Sequence, residues 1–286
     1  MLQYRCGSSP ESCTSPGTVV CQRNQPATIQ PAATANKVEP LASRVAVISD
    51  VHGNWHALEA VLRAVDAESP DELWCLGDLV GYGPRPNPCC AAVQERAALC
   101  LAGNHDLGVL GEVDLAEFAP DAVASANWTR VVLTPEARAY LETLRSSGRR
   151  ERAELFHASP RDPVWEYVLT IDAVEASFEL TEEPLVLVGH SHVPLAIVLE
   201  RGELGGGIAP EGTEAKLGGS SARCLLNPGS VGQPRDGDPR AAWLLLDFGS
   251  GRAEFRRVAY PVARTQEEIR ERGLPDALAE RLARGV

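Results

Sequence analysis

Short apolar runs rich in β-branched residues alternate with longer amphipathic stretches from residue 44 onward. This alternation is typical of strands joined by crossover helices, so it predicts an α/β fold. The first helix should begin near Asn54, because apolar residues from Leu58 to Val65 recur at the spacing of one buried helix face. Further helices are predicted near residues 88–97, 121–132, 135–145 and 171–180.

After Pro184 the pattern becomes one of strands separated by turns. The segments GELGGG, NPGS and DFGSGR mark the predicted turns. Two sheets need helices over their outer faces, so we predict a four-layer helix–sheet–sheet–helix sandwich built on two mixed β-sheets. The strands of this second half are predicted at 185–189, 194–200, 223–227, 241–248 and 253–259.

The two ends of the chain differ from the central part. Residues 1–43 are rich in Ser, Thr, Pro, Gln and Asn and lack both hydrophobic periodicity and the apolar segment of a secretory signal. We interpret them as a disordered leader. Residues 44–262 are predicted to form the main domain, and residues 263–286 are predicted to form polar helices on its surface.

Composition narrows the range of partners. The formal net charge of -12 argues against general affinity for nucleic acid or anionic lipid. The sequence has no apolar run of about 18 residues, the length that a membrane span needs. The eight cysteines show no disulfide-rich pattern, and Cys75 and Cys100 sit inside apolar runs. We therefore expect a reducing, cytoplasmic location and no membrane partner.

Five of the apolar runs end in a residue that can bind a metal ion. The carboxyl ends of strands in an open α/β sheet border the ligand crevice, so these five ends should converge. A single buried His is usually a hydrogen-bonded core residue, and a single Asp at a strand end usually caps a helix. Packing gives no reason to place five of the six histidines there, so the whole set indicates a metal site. The predicted ligands are Asp50, His52, Asp78, Asn104, His157, His190 and His192.

The ligand types restrict the metal. Imidazole, carboxylate and amide oxygen without thiolate suit Mn, Fe, Zn, Co or Ni, of which we favour Mn. Seven protein ligands are too many for one catalytic ion that keeps an open position. They suit two divalent ions roughly 3.5–4 Å apart that share one bridging carboxylate.

The motifs DVH, GDLVGYG, GNHD and GHSH occur in this order between residues 50 and 192, with a further His before the last. Together they resemble the five signatures of the calcineurin-like metallophosphoesterase superfamily. The resemblance implies that family's two-sheet sandwich, and it assigns a role to each matching position. Asp78 would bridge two metals, Asp50, His52 and His192 would hold the first, Asn104, His157 and His190 would hold the second, and His105 would be an acid beside the site with Asp106 as its orienting partner.

Details of these motifs favour one branch of the superfamily. Protein Ser/Thr phosphatases and symmetrical diadenosine tetraphosphatases have an Arg shortly after the GD motif and a Glu after GNH. This chain has GDLVGYG and GNHD instead. The segments DVHGNWHALEAVL, HASPRDPVWEYV and NPGSVGQPRDGDPRAAW resemble the small bacterial and archaeal phosphoesterases, which are typically described as phosphodiesterases.

The resemblance and the ligand set predict hydrolysis of a small phosphate ester, with a phosphodiester favoured, by a hydroxide that bridges the two cations. A nucleotide phosphomonoesterase and a dinucleoside polyphosphate hydrolase are alternatives on the same centre. A non-catalytic protein-binding scaffold is a third, although the complete ligand set argues against it. A nuclease is disfavoured by the acidic charge.

Substrate contacts are predicted in the loops that follow strands. Arg161, Arg235 and Arg240 could clamp a phosphate there, or they could form surface ion pairs with the carboxylates at 162, 236 and 238. Arg235 is the first choice. Asn54 is a further candidate, although a helix cap is its favoured role. The aromatic residues that could stack on a nucleobase or aryl group, or else belong to the core, are Trp55, Tyr82, Trp165 and Tyr167.

Overall fold

The computed structural model describes residues 43–150, 152–219 and 222–286. Its first half contains β1 (Arg44–Ile48), α1 (Trp55–Glu68), β2 (Glu72–Cys75), α2 (Pro86–Arg96), β3 (Leu99–Cys100), α3 (Asn104–Leu110), a 3-10 helix (Leu115–Glu117), α4 (Pro120–Val132), α5 (Pro135–Leu141) and β4 (Ser147–Arg150). Its second half contains β5 (Ala153–Phe156), α6 (Ile171–Glu179), β6 (Leu185–Leu187), β7 (Leu195–Glu200), β8 (Glu203–Ile208), β9 (Glu214–Lys216), β10 (Ala222–Asn227), β11 (Ala241–Asp247), β12 (Arg252–Val258), α7 (Val262–Glu271) and α8 (Asp276–Leu282).

Helix α1 begins where the sequence predicts. Asn54 is its N-cap, and the side-chain oxygen of Asn54 accepts a hydrogen bond from the backbone N–H of Ala57 at 3.3 Å. The apolar positions from Leu58 to Val65 are buried against the first sheet. The helix ends before Ser69, whose left-handed conformation turns the chain toward β2.

Strand β1 is buried on both faces, which explains its uninterrupted apolar run. Val45 and Val47 lie in the core between the two sheets. Ala46 and Ile48 lie in the core beneath the helices. The strand therefore keeps the alternation of side chains expected of β-structure although the sequence shows no polar face.

The strands form two six-stranded mixed sheets. The first has the order β3-β2-β1-β11-β12-β9, in which β1, β2 and β3 are parallel and the other three strands pair antiparallel. The second has the order β4-β5-β6-β10-β7-β8, with β5, β6 and β10 parallel. Each sheet thus contains three adjacent parallel strands whose ends can share one edge.

Three apolar clusters separate four layers. The cluster between the sheets includes Val47 and Trp74 of the first sheet and Leu155 and Leu226 of the second. A second cluster joins α1, α2 and α5 to the outer face of the first sheet, and a third joins α6 to the outer face of the second. The predicted helix–sheet–sheet–helix sandwich with two mixed sheets is confirmed.

Two local predictions were wrong. The GELGGG segment is mostly strand β8, and the tight turn lies at Arg201 and Gly202, which have φ angles of 54° and 83°. Glycines weaken the strand signal in sequence, but β8 is an edge strand and needs few side-chain contacts. Helix α5 ends at Leu141 and not near residue 145, because the chain turns there toward β4.

The C-terminal stretch forms two helices, α7 and α8, but they are not wholly polar. Ile269, Leu278 and Leu282 are buried and pack with Tyr82 and Trp128 of the main domain. The predicted leader lies outside the described residues, except for Ser43. Within the described ranges, every helix is too short or too polar to cross a lipid bilayer.

Candidate metal centre

The ends of five strands meet at one edge of the two sheets and bring the predicted ligands together. One group joins Asp50, His52, Asp78 and His192, and a second joins Asp78, His157 and His190. Within each group the ligand atoms lie within 4.8 Å of one another. Because Asp78 belongs to both groups, it stands where a carboxylate bridging two cations would stand.

The backbone at these positions is unusual. Five of the seven predicted ligands have a positive φ, namely Asp50 (55°), His52 (50°), Asp78 (55°), His190 (62°) and His192 (60°). A non-glycine residue in this region costs on the order of 1–3 kcal/mol and persists where the surroundings force it. Backbone hydrogen bonds supply that force, for example from the N–H of Asp50 to the carbonyl of Gly77 at 3.0 Å.

The first group turns two imidazole lone pairs toward each other. Nδ1 of His52 lies 3.1 Å from the carbonyl of Val80, and Nδ1 of His192 lies 2.6 Å from that of Gln233. A carbonyl only accepts, so each Nδ1 carries the proton and each Nε2 carries a lone pair. These two Nε2 atoms are 3.0 Å apart. Burial, the largest cause, holds the pKa of both imidazoles well below 6.5, so neither Nε2 is expected to carry a proton at neutral pH.

The second group is arranged in the same way. Nδ1 of His157 lies 2.8 Å from the carbonyl of Leu76, which leaves Nε2 to face the side-chain oxygen of Asn104 at 3.3 Å. His190 uses the opposite tautomer, because its Nε2 lies 3.2 Å from the carbonyl of Trp165. Its Nδ1 is buried without a hydrogen-bond partner. These nitrogens therefore offer lone pairs to a common centre.

Two carboxylates add further acceptor atoms to the imidazole lone pairs of these groups. Oδ1 of Asp50 and Oδ2 of Asp78 are buried and have no hydrogen-bond partner. Burial raises the pKa of Asp50 to about 7 and that of Asp78 well above 3.8. Cations would satisfy every one of these atoms. The donor set of imidazole, carboxylate and amide oxygen fits Mn, Fe, Zn, Co or Ni, so the residues present fit a divalent metal pair.

Gly103 lets two strand ends approach each other closely. A Cβ atom at this position would overlap the Oδ1 atom of Asp78. That oxygen accepts a hydrogen bond from the backbone N–H of His105 at 2.9 Å, which orients the carboxylate. The glycine of the GNHD motif is therefore needed so that Asp78 can enter both ligand groups.

Asp106 has a different role from the predicted one. Its Oδ1 accepts from the N–H of Val80 at 3.1 Å, and its Oδ2 accepts from the N–H of Gly103 at 2.9 Å. From the third position of α3 it caps the N-terminus of this helix, because the N–H that its Oδ2 accepts belongs to the N-cap residue Gly103. The structure does not support the prediction that Asp106 orients His105, because both carboxylate oxygens are turned to backbone donors.

The ring of His105 lies at the cavity wall. It packs against Tyr82 and Phe118, with ring centroids 4.4 Å and 5.1 Å away, and its Nδ1 is buried without a hydrogen-bond partner. Burial, together with the charges on Arg235 and His157, lowers the pKa of His105 to about 3. This residue is therefore expected to be a neutral imidazole at neutral pH.

The ligands open into a cavity of about 300 Å³. Such a volume lies at the small end of the range for ligand sites, roughly 300–1,000 Å³. Three of the four predicted stacking residues, Tyr82, Trp165 and Tyr167, line it, whereas Trp55 packs with the core. Sequence reasoning missed Phe118 and Arg281, which also line the cavity, because neither follows a predicted strand or belongs to a motif.

Of the three arginines predicted to contact phosphate, one lines the cavity and two form ion pairs outside it. Arg235 lines the cavity, and Asp236 does not pair with it but with Arg257. Arg161 pairs at the surface with Glu166 at 2.5 Å and with Asp172 at 2.8 Å.

Arg161 is therefore engaged elsewhere, and the structure does not support its predicted contact with phosphate. Arg240 pairs with Asp238 at 2.6 Å, as the ion-pair alternative predicts.

Asn54 is also fully engaged. Its Nδ2 donates to the carbonyl of Gly232 at 2.9 Å and to the hydroxyl of Tyr260 at 3.2 Å. Its Oδ1 accepts from Ala57 and from the hydroxyl of Thr265. Asn54 therefore ties α1 to the C-terminal part of the chain, and the structure does not support the prediction that it contacts substrate.

Comparison with known families agrees with this geometry. A family model described as the calcineurin-like phosphoesterase superfamily domain matches residues 44–251 of the 286-residue chain. The protein belongs to this superfamily. Family membership and the ligand groups support a phosphoester hydrolase that acts on a small phosphorylated substrate at a divalent metal centre.

Several known proteins are similar to this superfamily member, over different shares of its chain. An uncharacterized protein of Methanocaldococcus jannaschii is 37% identical over 248 residues, which cover 85% of this chain and 98% of that protein. The crystal structure of a metallophosphoesterase from Sphaerobacter thermophilus is 40% identical, with a TM-score of 0.76 over 86% of this chain and 100% of its own. A symmetrical bis(5'-nucleosyl)-tetraphosphatase of Actinobacillus pleuropneumoniae is 32% identical over 99 residues, only 29% of this chain and 37% of that protein.

Proposed function

We propose that this protein hydrolyses a small phosphodiester at a pair of divalent cations, with Mn favoured. The observation that carries the proposal is the convergence of buried lone pairs in the two ligand groups, with no donor between them. Asp50, His52 and His192 would hold one ion, Asn104, His157 and His190 would hold the other, and Asp78 would bridge them. When bound, such a pair lowers the pKa of water to supply a nucleophile and neutralises phosphoryl oxygens.

Backbone carbonyls preorganise the imidazole ligands. The carbonyls of Val80, Gln233 and Leu76 hold the Nδ1 protons of His52, His192 and His157, respectively. Each Nε2 lone pair is thereby aimed at the centre before any ion arrives. Outer partners of this kind fix the tautomer and orientation of metal-binding histidines.

We assign two further residues to the substrate. A neutral His105 can donate one N–H hydrogen bond to the leaving oxygen, which suits a residue whose pKa is lowered to about 3. Arg235 has a buried Nε with no hydrogen-bond partner, while its Nη2 donates to the side chain of Gln233 at 2.9 Å. Its guanidinium is thus held in place with donors left for a phosphate oxygen.

The wall beside the ligands favours a diester over a monoester. Phe118, Trp165 and Tyr167 give the cavity an aromatic side next to the metal ligand His190. A diester has a second organic group besides the leaving group, and that group would find apolar contacts there, whereas the terminal oxygens of a monoester dianion would gain nothing from them. The resemblance of the motifs to the small phosphoesterases supports the same preference.

The test is hydrolysis of bis(p-nitrophenyl) phosphate by protein loaded with Mn, compared with p-nitrophenyl phosphate as the monoester. We expect turnover with a higher kcat/KM for the diester. Asp78→Asn should abolish turnover and lower the bound metal measured by elemental analysis. Asp66→Asn, which removes a surface carboxylate paired with Arg96, should retain both.

Full activity in the Asp78→Asn variant would refute the bridging role, and a metal-loaded protein inert toward both esters would refute the hydrolase. A monoester preference would favour the alternative of a nucleotide phosphomonoesterase.

We also propose a cytoplasmic location, which the free thiols of Cys75, Cys89, Cys90, Cys100 and Cys224 support.

A further inference from the structure

Arg281 of helix α8 faces the same cavity as the metal ligands. It lies outside residues 44–251, the part of the chain that the family model matches. The cavity wall is therefore completed by an element that follows the superfamily domain. A cationic side chain in this place can contribute to substrate selection without belonging to the metal centre.

Arg281 and Arg235 have no Asp or Glu side chain as a partner within the described ranges. Neither guanidinium forms an ion pair with Asp78 or Glu117, although these two residues also line the cavity. Nε of Arg281 donates to the main-chain carboxyl oxygen of Val286, the last residue of the sequence, at 2.7 Å, and its two Nη atoms make no hydrogen bond with the described part of the chain. Four N–H donors of Arg281 are thus available.

The position of Arg281 is fixed by the packing of its helix. Leu278 and Leu282, on either side of it in α8, are buried with Ile269 of α7. Glu268 of α7 in turn pairs with Arg85 of the main domain at 2.5 Å. The two helices therefore hold Arg281 at the cavity and do not leave it on a loose terminal segment.

Arg235 lies beside the first ligand group. Its backbone N–H donates to the carbonyl of His192 at 3.3 Å, and its guanidinium lies over the ring of Tyr82 at 6.0 Å. The ring of Tyr82 is in turn 4.7 Å from the ring of His52. Arg281 lines the same cavity from α8.

We propose that Arg281 forms a binding subsite for a second phosphate of the substrate, next to the phosphate that the metal centre hydrolyses. The inference rests on the proposed phosphoesterase function and names its substrate class, a small ester that carries a second phosphate. The scissile phosphate contacts Arg235, and the second phosphate accepts hydrogen bonds from the Nη atoms of Arg281. Bidentate pairing with phosphate is the geometry that a guanidinium favours over an ammonium.

The subsite also explains why two like charges face one small cavity. The two guanidinium groups repel each other when the cavity holds only water, which destabilises the folded protein. A second phosphate bound beside Arg281 would offset this repulsion. A purely structural Arg281 would need only its Nε contact with Val286, and its Nη atoms would gain nothing from facing the cavity.

The test compares two probes that differ by one phosphonate. Methylphosphonate and methylenediphosphonate resist hydrolysis, and their dissociation constants can be measured by calorimetry on the full chain with buffered free Mn. In the wild-type protein the diphosphonate should bind tighter by roughly tenfold or more, the size of one charge-assisted interaction. Arg281→Gln should lose most of this preference, and Arg281→Lys should keep part of it because a point charge remains.

Arg284→Gln is the matched control, since Arg284 is exposed and lies just beyond the end of α8. It should keep the full preference, which separates a specific effect from the loss of one positive charge. An unchanged preference in Arg281→Gln would assign the second phosphonate to the metals and overturn the subsite. Absence of any preference in the wild-type protein, or no measurable binding of the diphosphonate, would overturn it as well.

These results are independent of turnover. Failure to hydrolyse bis(p-nitrophenyl) phosphate would count against the proposed function, whereas the change in the ratio of the two dissociation constants between the wild type and Arg281→Gln reports on Arg281. The two hypotheses can therefore fail separately.

Discussion

The phenol ring of Tyr167 stacks on the imidazole of His190, with ring centroids 4.2 Å apart and an interplanar angle of 8°. The Nε2 atom of His190 lies 3.2 Å from the carbonyl of Trp165. One short loop segment thus fixes both the plane and the tautomer of this ligand. The second metal group therefore depends on a loop that follows β5 as well as on the strand ends.

Removing this stacked ring should weaken the binding of one metal ion more than the binding of the other. We expect Tyr167→Ala to lower the affinity for one of two Mn ions, the one that His190 would hold, by about tenfold, the usual effect of losing an outer partner of a ligand. Tyr167→Phe keeps the ring and should bind both ions as the wild type does. Stepwise titration of metal-free protein with Mn, followed by electron paramagnetic resonance, measures the two affinities. Equal loss in both variants would point to the hydroxyl and contradict the stacking argument.

Gly103→Ala should disrupt the bridging ligand. Its Cβ would overlap Oδ1 and Cγ of Asp78 and would also lie only 2.7 Å from the backbone nitrogen of Asp78, so rotation of the carboxylate alone would not relieve the clash. We expect loss of bound metal and a lower melting temperature. Gly207→Ala is the control, because a Cβ at Gly207 meets open space and its φ is not in the left-handed region. A Gly103→Ala protein with its full metal content would show that Asp78 can move aside.

The convergence of the proposed ligands could be predicted from sequence because each of these residues is tied to a strong local signal. Asp50 and His52 follow β1, and His190 and His192 follow β6, so the apolar strand fixes the position of its polar end. Parallel pairing of β1 with β2 and of β5 with β6 then brings the ends to one edge. The four-layer fold follows from the same pattern of buried strands and one-sided helices.

Other features could not be predicted, because they depend on distances between segments. Asp106 stands next to His105 in sequence, yet its carboxylate turns back to cap α3, and residue order cannot distinguish the two roles. The opposite tautomers of His157 and His190 are set by carbonyls of distant loops. Arg281 belongs to a short helix whose place at the cavity is decided by the packing of α7 and α8, not by a motif.

Glu268 should make the stability of the C-terminal helices sensitive to acid. Burial alone would raise the pKa of this carboxyl, but hydrogen bonds from Arg85 and His56 outweigh it and lower the pKa to about 2. The folded pKa is thus below the ordinary value of 4.5, so the ionised form stabilises the fold above pH 4.5. This contribution is lost as the pH falls from about 4.5 through about 2.

We expect Glu268→Gln to lower the free energy of unfolding by roughly 2–3 kcal/mol at pH 7, because Arg85 and His56 lose a charged partner. The difference from the wild type should shrink as the pH falls toward 2. Urea unfolding at a series of pH values measures both effects. Glu267→Gln, which removes an exposed carboxylate paired with Arg264, should differ little from the wild type at any pH. A Glu268→Gln deficit that stays constant down to pH 2 would contradict the assignment.

Removal of the metal should reverse the effect of Asp78→Asn on stability. Burial, followed by the charge of Asp106, raises the pKa of Asp78 well above 3.8, so without cations its ionised form destabilises the fold as the pH rises above that value. An Asn can still accept from the N–H of His105, and its amide can donate toward the Nε2 lone pairs of His52 and His157, which lie 3.5 Å and 3.6 Å from Oδ2.

At pH 8 the metal-free Asp78→Asn protein should therefore be more stable than the metal-free wild type, by roughly 1–3 kcal/mol. With saturating Mn the order should invert, because the wild type gains the binding free energy of a complete site. Thermal melting with and without chelator measures the four values. The surface variant Asp66→Asn should show the same small change in both conditions. If the metal-free Asp78→Asn protein were less stable than the metal-free wild type, ionised Asp78 would not destabilise the empty site. That result would contradict the argument.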